Sequence, residues 1–404
     1  MKRSLIVIYA AIVLDAMGIG LVFPILPSLL RDVTRAENVA PYIGVMIALY
    51  AVMQLVFSPV LGALSDRLGR RPVLMLSLLG AALDYLLLAF APSLWLLVLG
   101  RAIAGLTGAN RAVATAYITD ISSEAQRAGR FGLLNAMFGL GFIVGPVLGG
   151  ALGDHWLRLP FLVAAGLNAC NFLLAWFVLP ETRAATQEPF ELAALNPLRP
   201  LRWAVSMKGL LPVILVFFLF SATGEAYGVC WALWGGDVFH WNGFWIGLSL
   251  GAFGVCQTLA QAILPGPAAR LLGERAAVLA GIAGACAALV VMAFAGRGWM
   301  VFAIMPVFAL GGIGVPALQS LATRQVDADR QGRFQGVLAS AVSLASVIAP
   351  LGFSSVYFVA RARWPGAVWL SVAAIYLLCV PLVLALPMTG REAEPVNSGR
   401  SSDR

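Results

Sequence analysis

Long apolar runs recur from end to end of this chain, and that recurrence fixes most of what it can become. A lipid-spanning helix needs roughly 20 predominantly apolar residues. Runs of that kind fall at 5–29, 42–64, 73–91, 95–118, 131–152, 160–179, 210–235, 244–264, 276–295, 299–322, 334–358 and 365–386. Of the 404 residues 60% are hydrophobic and 11% charged, whereas soluble chains carry about 25% charge. The first run starts at Leu5 and shows no small-residue processing site before it completes a span, so no cleavable signal peptide is expected. The predicted class is an all-α integral membrane protein with twelve spans.

The formal charge of +8 does not call for a nucleic-acid partner, because the basic residues cluster in short loops between spans. With the N-terminus inside, inner segments hold 19 of the 27 Lys and Arg, outer loops hold six, and Arg101 and Arg111 fall within the fourth span. The excess predicts cytoplasmic termini and a cytoplasmic central loop at 180–209. A stretch of that loop, Pro197–Trp203, mixes basic and apolar residues suited to a membrane surface. The tail, 388–404, is polar. The five cysteines all lie in apolar runs, and His155 and His240 stand far apart, so neither a disulfide pattern nor a metal site is expected.

The halves repeat at a constant offset. Gly62-x3-Asp66-x2-Gly69-Arg70-Arg71 returns 204 residues later as Gly266-x3-Arg270-x2-Gly273-Glu274-Arg275. Pro146 returns as Pro350 and Gly132 as Gly336. The expected organisation is an N-terminal bundle (1–179), the central loop (180–209), a C-terminal bundle (210–387) and the tail. Parallel repeats of this kind place a binding site near the midplane between them.

Two motifs carry mechanism. In the first, Gly62 permits close helix approach, Gly69 permits a tight turn, and Arg70 offers a planar fork to a carboxylate. Asp120 is its candidate partner, with Arg270 and Arg324 as the charge-swapped counterparts of Asp66 and Asp120. These residues predict an inner-face latch; the alternative is that they only set topology. The second motif, Gly132-x8-Gly141-x3-Gly145-Pro146-x2-Gly149-Gly150, supplies small residues four apart for close helix contact, with Pro146 as a kink.

These motifs, with Leu14–Gly20, Leu49–Gln54, Arg101-x3-Gly105 and Pro316–Gln319, resemble the major facilitator superfamily. Within it the chain is similar to the twelve-span drug:proton antiporters, in particular the tetracycline-resistance efflux pumps of Gram-negative bacteria, over nearly its whole length. The resemblance implies two pseudo-symmetric six-helix bundles in the bacterial inner membrane, working as a monomer without cofactor. It also implies that Asp15, Gln54, Asp84 and Arg70 contribute to transport. Several positions depart from the pattern: Ala285 replaces a carboxylate, Gln257 a histidine, Glu225 a glutamine, and Arg111 a small uncharged residue.

Each charge inside a span costs roughly 2.5–3.5 kcal/mol on insertion scales, which marks it as a candidate functional group. Asp15, Asp84 and Glu225 are candidate proton-coupling carboxylates, because desolvation and nearby arginines pull a carboxyl in opposite directions. Glu225 either takes over coupling or meets a cationic substrate, or it pairs with a neighbour. Arg111 pairs with Asp15 or Asp84, or meets an anionic part of the substrate. Gln54, Asn110 and Gln257 are candidate polar contacts for substrate, and Gln261 and Gln319 serve as contacts or structural glue. Tyr227, Trp231, Trp234 and Phe253 either line a cavity or pack. No GxxxxGK[ST] sequence is present, so ATP is not expected to drive the protein. The expected function is proton-coupled export of a small amphiphile, most simply an antibiotic. The rivals are export of a siderophore or other metabolite, proton-coupled import, and a receptor or embedded enzyme. The last would need converging acid, base and nucleophile, which the sequence does not offer.

Overall fold

The computed structural model describes residues 2–108, 110–182, 211–323 and 331–386, and its regular structure is helical throughout. The central loop beyond Thr182, the tail and Arg324 lie outside the described residues. In chain order the helices are α1 (Lys2–Val22), α2 (Leu26–Thr34), α3 (Ala40–Leu68), α4 (Arg70–Phe90), α5 (Leu94–Thr107), α6 (Asn110–Asp120), α7 (Glu124–His155) and α8 (Leu159–Val178). After the central loop come α9 (Leu211–Phe239), α10 (Gly243–Ile263), α11 (Pro265–Leu272), α12 (Glu274–Ala293), α13 (Gly298–Ala309), α14 (Gly314–Thr323), α15 (Gln331–Ala360) and α16 (Ala367–Leu384). Leu83, Phe90, Leu173, Phe177, Leu377 and Leu378 are exposed, the pattern of helices solvated by lipid.

Among the described residues, eleven segments are long and apolar enough to cross a membrane. The expected fourth span is present as two shorter helices, α5 and α6, which part at Gly108. The expected tenth span is broken at the matching place: a turn of 3₁₀ helix, Leu310–Ile313, joins α13 to α14. Gly108 and Gly312 are 204 residues apart, so the repeat extends to an irregularity that the apolar pattern alone does not show. The expected first span, 5–29, is also divided. Pro24 and Pro27 lack the N–H groups a continuous helix needs, and the chain turns between α1 and α2.

The glycines of the span-five motif explain why α7 lies against α1. A Cβ at Gly141, Gly145 or Gly149 would overlap the carbonyl oxygens of Val13, Met17 and Leu21 respectively. These residues follow one another at four-residue steps on both helices, so the backbones touch along a stripe. On its other side α7 meets α10, where a Cβ at Gly150 would overlap Gly243 and one at Gly247 would overlap Pro146. A Cβ at Gly44 of α3 would overlap Ser354 of α15. The helices before and after the central loop therefore close on each other at the end remote from the N-terminus.

The opposite end, hereafter the open end, shows no such glycine contacts between the halves. A Cβ at Gly62, Gly129, Gly132 or Gly266 would meet nothing within 4 Å. The expectation that Gly62 brings helices together is thus not met here: no other helix lies within 4 Å of where its Cβ would stand.

Candidate transport cavity

Two adjoining chambers lie between the halves. The first, about 270 Å³, is lined mainly by α1, α3, α4 and α5, and the second, about 400 Å³, mainly by α9, α10 and the break between α13 and α14. Phe23 and Glu225 line both, so the two chambers adjoin at these residues.

In the first chamber the broken fourth span does the positioning. The break frees the Gly108 carbonyl from helix bonding, and Gln54 Nε2 donates to it at 3.0 Å and approaches the Tyr50 hydroxyl at 3.3 Å. Past the break, Asn110 opens α6 and donates its amide to Asp15 Oδ1 at 2.8 Å. The Asn110 carbonyl oxygen is buried and has no protein partner. Asp84, 1% exposed, is ion-paired with Arg101 of α5. Its second oxygen and Arg101 Nε are both buried without a partner. A buried charge is tolerated when compensated, and Arg101 supplies that compensation.

In the second chamber the acid is Glu225 of α9, which accepts a hydrogen bond from Ser346 Oγ of α15 at 2.5 Å. No lysine or arginine among the described residues lines this chamber. Its wall is aromatic: Phe253 stacks on Tyr227 and on Phe308, Tyr227 meets Phe308 at a tilt, with centroids 4.9–6.1 Å apart, and Phe220 meets Tyr376 edge-on. The Tyr227 hydroxyl is buried without a partner. Gln257 lines this chamber beside Gly312, much as Gln54 stands beside Gly108 in the first.

Asp15, Gln54, Asp84, Asn110, Glu225, Tyr227 and Gln257 are thus brought to one pair of chambers. Two expected residues are not. Arg111 pairs with neither Asp15 nor Asp84; it is exposed, donates to Asn135 Oδ1 at 3.0 Å and sits 4.7 Å over the Phe138 ring. Consecutive residues of a helix point roughly 100° apart, so Arg111 turns away from the acid that Asn110 faces. Trp231 does not line either chamber: it is 1% exposed, donates to Ser249 Oγ at 2.8 Å and packs against Trp234 and Trp369. Gln261 and Gln319 are exposed.

At the open end, Gly69 has φ +106°, a conformation that favours glycine, and turns the chain from α3 into α4. Arg70, 6% exposed, then reaches Asp66 at 2.7 Å, Asp120 at 3.0 Å and Ser65 at 3.2 Å. Glu181 accepts from the backbone N–H groups of Arg70 (2.8 Å) and Arg71 (3.1 Å), satisfying donors at the start of α4. Gly273 repeats the left-handed turn with φ +80°, while Arg270 is exposed.

The closed end carries a set of contacts that sequence reasoning missed. Asp154 accepts from the backbone N–H groups of Gly243 and Phe244 at 2.8 and 2.9 Å, which places a first-half carboxylate on the N-terminus of α10. Asp237 accepts from Arg361 Nε (2.7 Å) and Nη2 (3.0 Å) and from the Tyr357 hydroxyl (2.8 Å). Arg31 approaches it from the first half at 3.8 Å. Arg361 also donates to the Glu37 carbonyl at 2.8 Å, and its guanidinium is raised above its ordinary pKa by the Asp237 bonds. Acidic residues near span ends were the available signal, but nothing in the sequence indicates which helix faces them.

The family model described as Major Facilitator Superfamily matches residues 8–254. This chain belongs to the major facilitator superfamily. Within it the transporter is 48% identical over 380 residues to the class C tetracycline resistance protein of Escherichia coli, covering 94% of this chain and 96% of that one. It is 44% identical to the class G tetracycline resistance protein of Vibrio anguillarum, over 95% and 98% of the two chains. Among solved structures, the transporter superposes on the nucleoside transporter NupG with a TM-score of 0.80 at 13% identity, over 95% of this chain and 99% of that one. These relatives are transporters, not enzymes, and the protein is a multi-pass membrane protein that moves small molecules.

Proposed function

We propose that this transporter exports a tetracycline-type antibiotic, or an amphiphile of similar size, in exchange for protons. The reading rests chiefly on one observation: carboxylates from both halves converge on chambers between halves that close on each other at one end of the molecule. Similarity to tetracycline resistance proteins over 94% of the chain supports the cargo.

The open end carries the N-terminus, Asp66 and Arg70, and the excess of basic loops makes it cytoplasmic in our reading. The setting is then the bacterial inner membrane, with the protein acting as a monomer and the bundles 1–179 and 210–387 rocking about the cavity. Asp84 already has Arg101 as counter-charge. Asp15 is held by the Asn110 amide and Glu225 by the Ser346 hydroxyl, both neutral donors. Asp15 and Glu225, held by neutral donors and not by an ion pair, are accordingly the groups that exchange a proton for substrate. Arg70, Asp66 and Asp120 secure the first half at the open end, and Asp154 and Asp237 hold the far end shut. A 100 mV potential contributes about 2.3 kcal/mol per net charge carried.

The test is uptake into everted membrane vesicles under an imposed pH gradient, with tetracycline in a panel of antibiotics. Gradient-dependent accumulation of tetracycline is the expected result. Accumulation that is indifferent to the gradient would remove proton coupling, and an inert panel would remove the antibiotic cargo.

A further inference from the structure

The second chamber combines features that the exchange of protons does not by itself require. Its wall is built of the packed rings of Tyr227, Phe253 and Phe308, with Phe23 also lining it. An aromatic face carries negative π density and attracts a cation held over it, most strongly where water is excluded. Glu225 lines the same chamber with a single neutral donor on its carboxylate, and no basic side chain among the described residues does so. A carboxylate beside an aromatic wall suits a nitrogen that bears alkyl groups as well as charge: the carboxylate meets the charge and the rings meet the alkyl carbons.

We propose that this chamber is the binding site for a substituted-ammonium group of the substrate, with Glu225 as its counter-ion. The polar remainder of the molecule then lies in the adjoining chamber, toward Gln54, Asn110 and Asp15. The inference builds on the export reading above and adds the orientation of the cargo. Tetracyclines carry one dimethylamino group, which is cationic when protonated, and an unrelated aromatic cation would offer the same chemistry.

The experiment is equilibrium binding to the purified full-length transporter in detergent. The probes are tetracycline, its analogue lacking the dimethylamino group (4-dedimethylaminotetracycline), and ethidium. The wild type is expected to prefer tetracycline over the analogue by about tenfold, the scale of one desolvated cation contact. Glu225→Gln erases that preference, and Glu225→Asp retains part of it. Phe253→Leu, which leaves the acid in place, lowers affinity for tetracycline but not for the analogue. This variant carries the test should Glu225→Gln fail to fold.

If only ethidium binding responds to Glu225→Gln and Phe253→Leu, the ammonium site stands and tetracycline loses its place as cargo. If the preference for tetracycline survives in both variants and ethidium binding is unchanged, the proposal is overturned. Vesicle export of tetracycline without any dependence on the dimethylamino group would likewise overturn it while leaving the exporter reading intact.

Discussion

At the residue scale, the three carboxylates have different surroundings, and their variants should behave differently. Glu225 has a hydroxyl partner and no counter-charge among the residues lining its chamber. Glu225→Gln is expected to abolish uptake driven by a pH gradient in everted vesicles while the protein still inserts. Normal gradient-dependent uptake in that variant would remove Glu225 from coupling. Asp84 is committed to Arg101. Arg101→Ala strands a buried charge, a loss of about 3–5 kcal/mol, and a fall in detergent thermal stability would report it. The double variant Asp84→Asn with Arg101→Ala should recover much of that stability, because the uncompensated charge is gone. The depth of each acid was legible from its place in an apolar run. Its partner was not: Arg101 and Arg111 both fall within the fourth span, Arg111 was a candidate partner of Asp84, and only the rotation of α4 against α5 decides between them.

At the scale of elements, the small-residue pattern of span five was legible because four-residue spacing on one helix face has a single geometric meaning. The stripe is tight enough to test. Gly145→Val would overlap the Met17 carbonyl, and overpacking costs about 1–3 kcal/mol, more where backbone cannot yield. Lower thermal stability is expected, whereas the same change at Gly132, where a Cβ meets nothing within 4 Å, should be nearly silent. Equal effects at the two sites would show that α7 does not lie on α1 as described. Broken helices were less legible. Apolar content is continuous through Gly312, the Asn110 and Arg111 that follow Gly108 mark polarity and not a turn, and hydropathy does not register a turn whose freed carbonyls are satisfied inside the protein, as Gln54 satisfies Gly108.

At the scale of the whole molecule, the fold class and the repeat could be read from spacing alone, since an offset of 204 recurs at independent landmarks. The conformation could not. Which end is closed depends on contacts between segments far apart in the chain, such as Asp154 with Gly243 and Asp237 with Arg31. Asp154→Asn weakens the carboxylate's hold on the start of α10, so a cysteine introduced at Val39 should react faster with a membrane-impermeant thiol reagent applied from the closed end. An unchanged rate would mean that the carboxylate does not hold that end shut. Asp66→Asn acts at the other end, where it removes one of the two carboxylates on Arg70. It should slow turnover several-fold and leave equilibrium substrate affinity nearly as it was. A change confined to affinity would remove the latch role.

Gly69 and Gly273 adopt nearly the same unusual backbone angles, φ +106° with ψ 161° and φ +80° with ψ 159°. Three residues before them the two halves carry opposite charges, Asp66 and Arg270. Any side chain at either glycine is strained whatever its polarity, and at Gly69 it would also strike the Glu181 carboxylate. What the duplicated loops hold in common is therefore a bend, on which each half has hung its own electrostatics. A saturation library should accordingly find both glycines irreplaceable, with the neighbouring charges open to exchange only in matched sets.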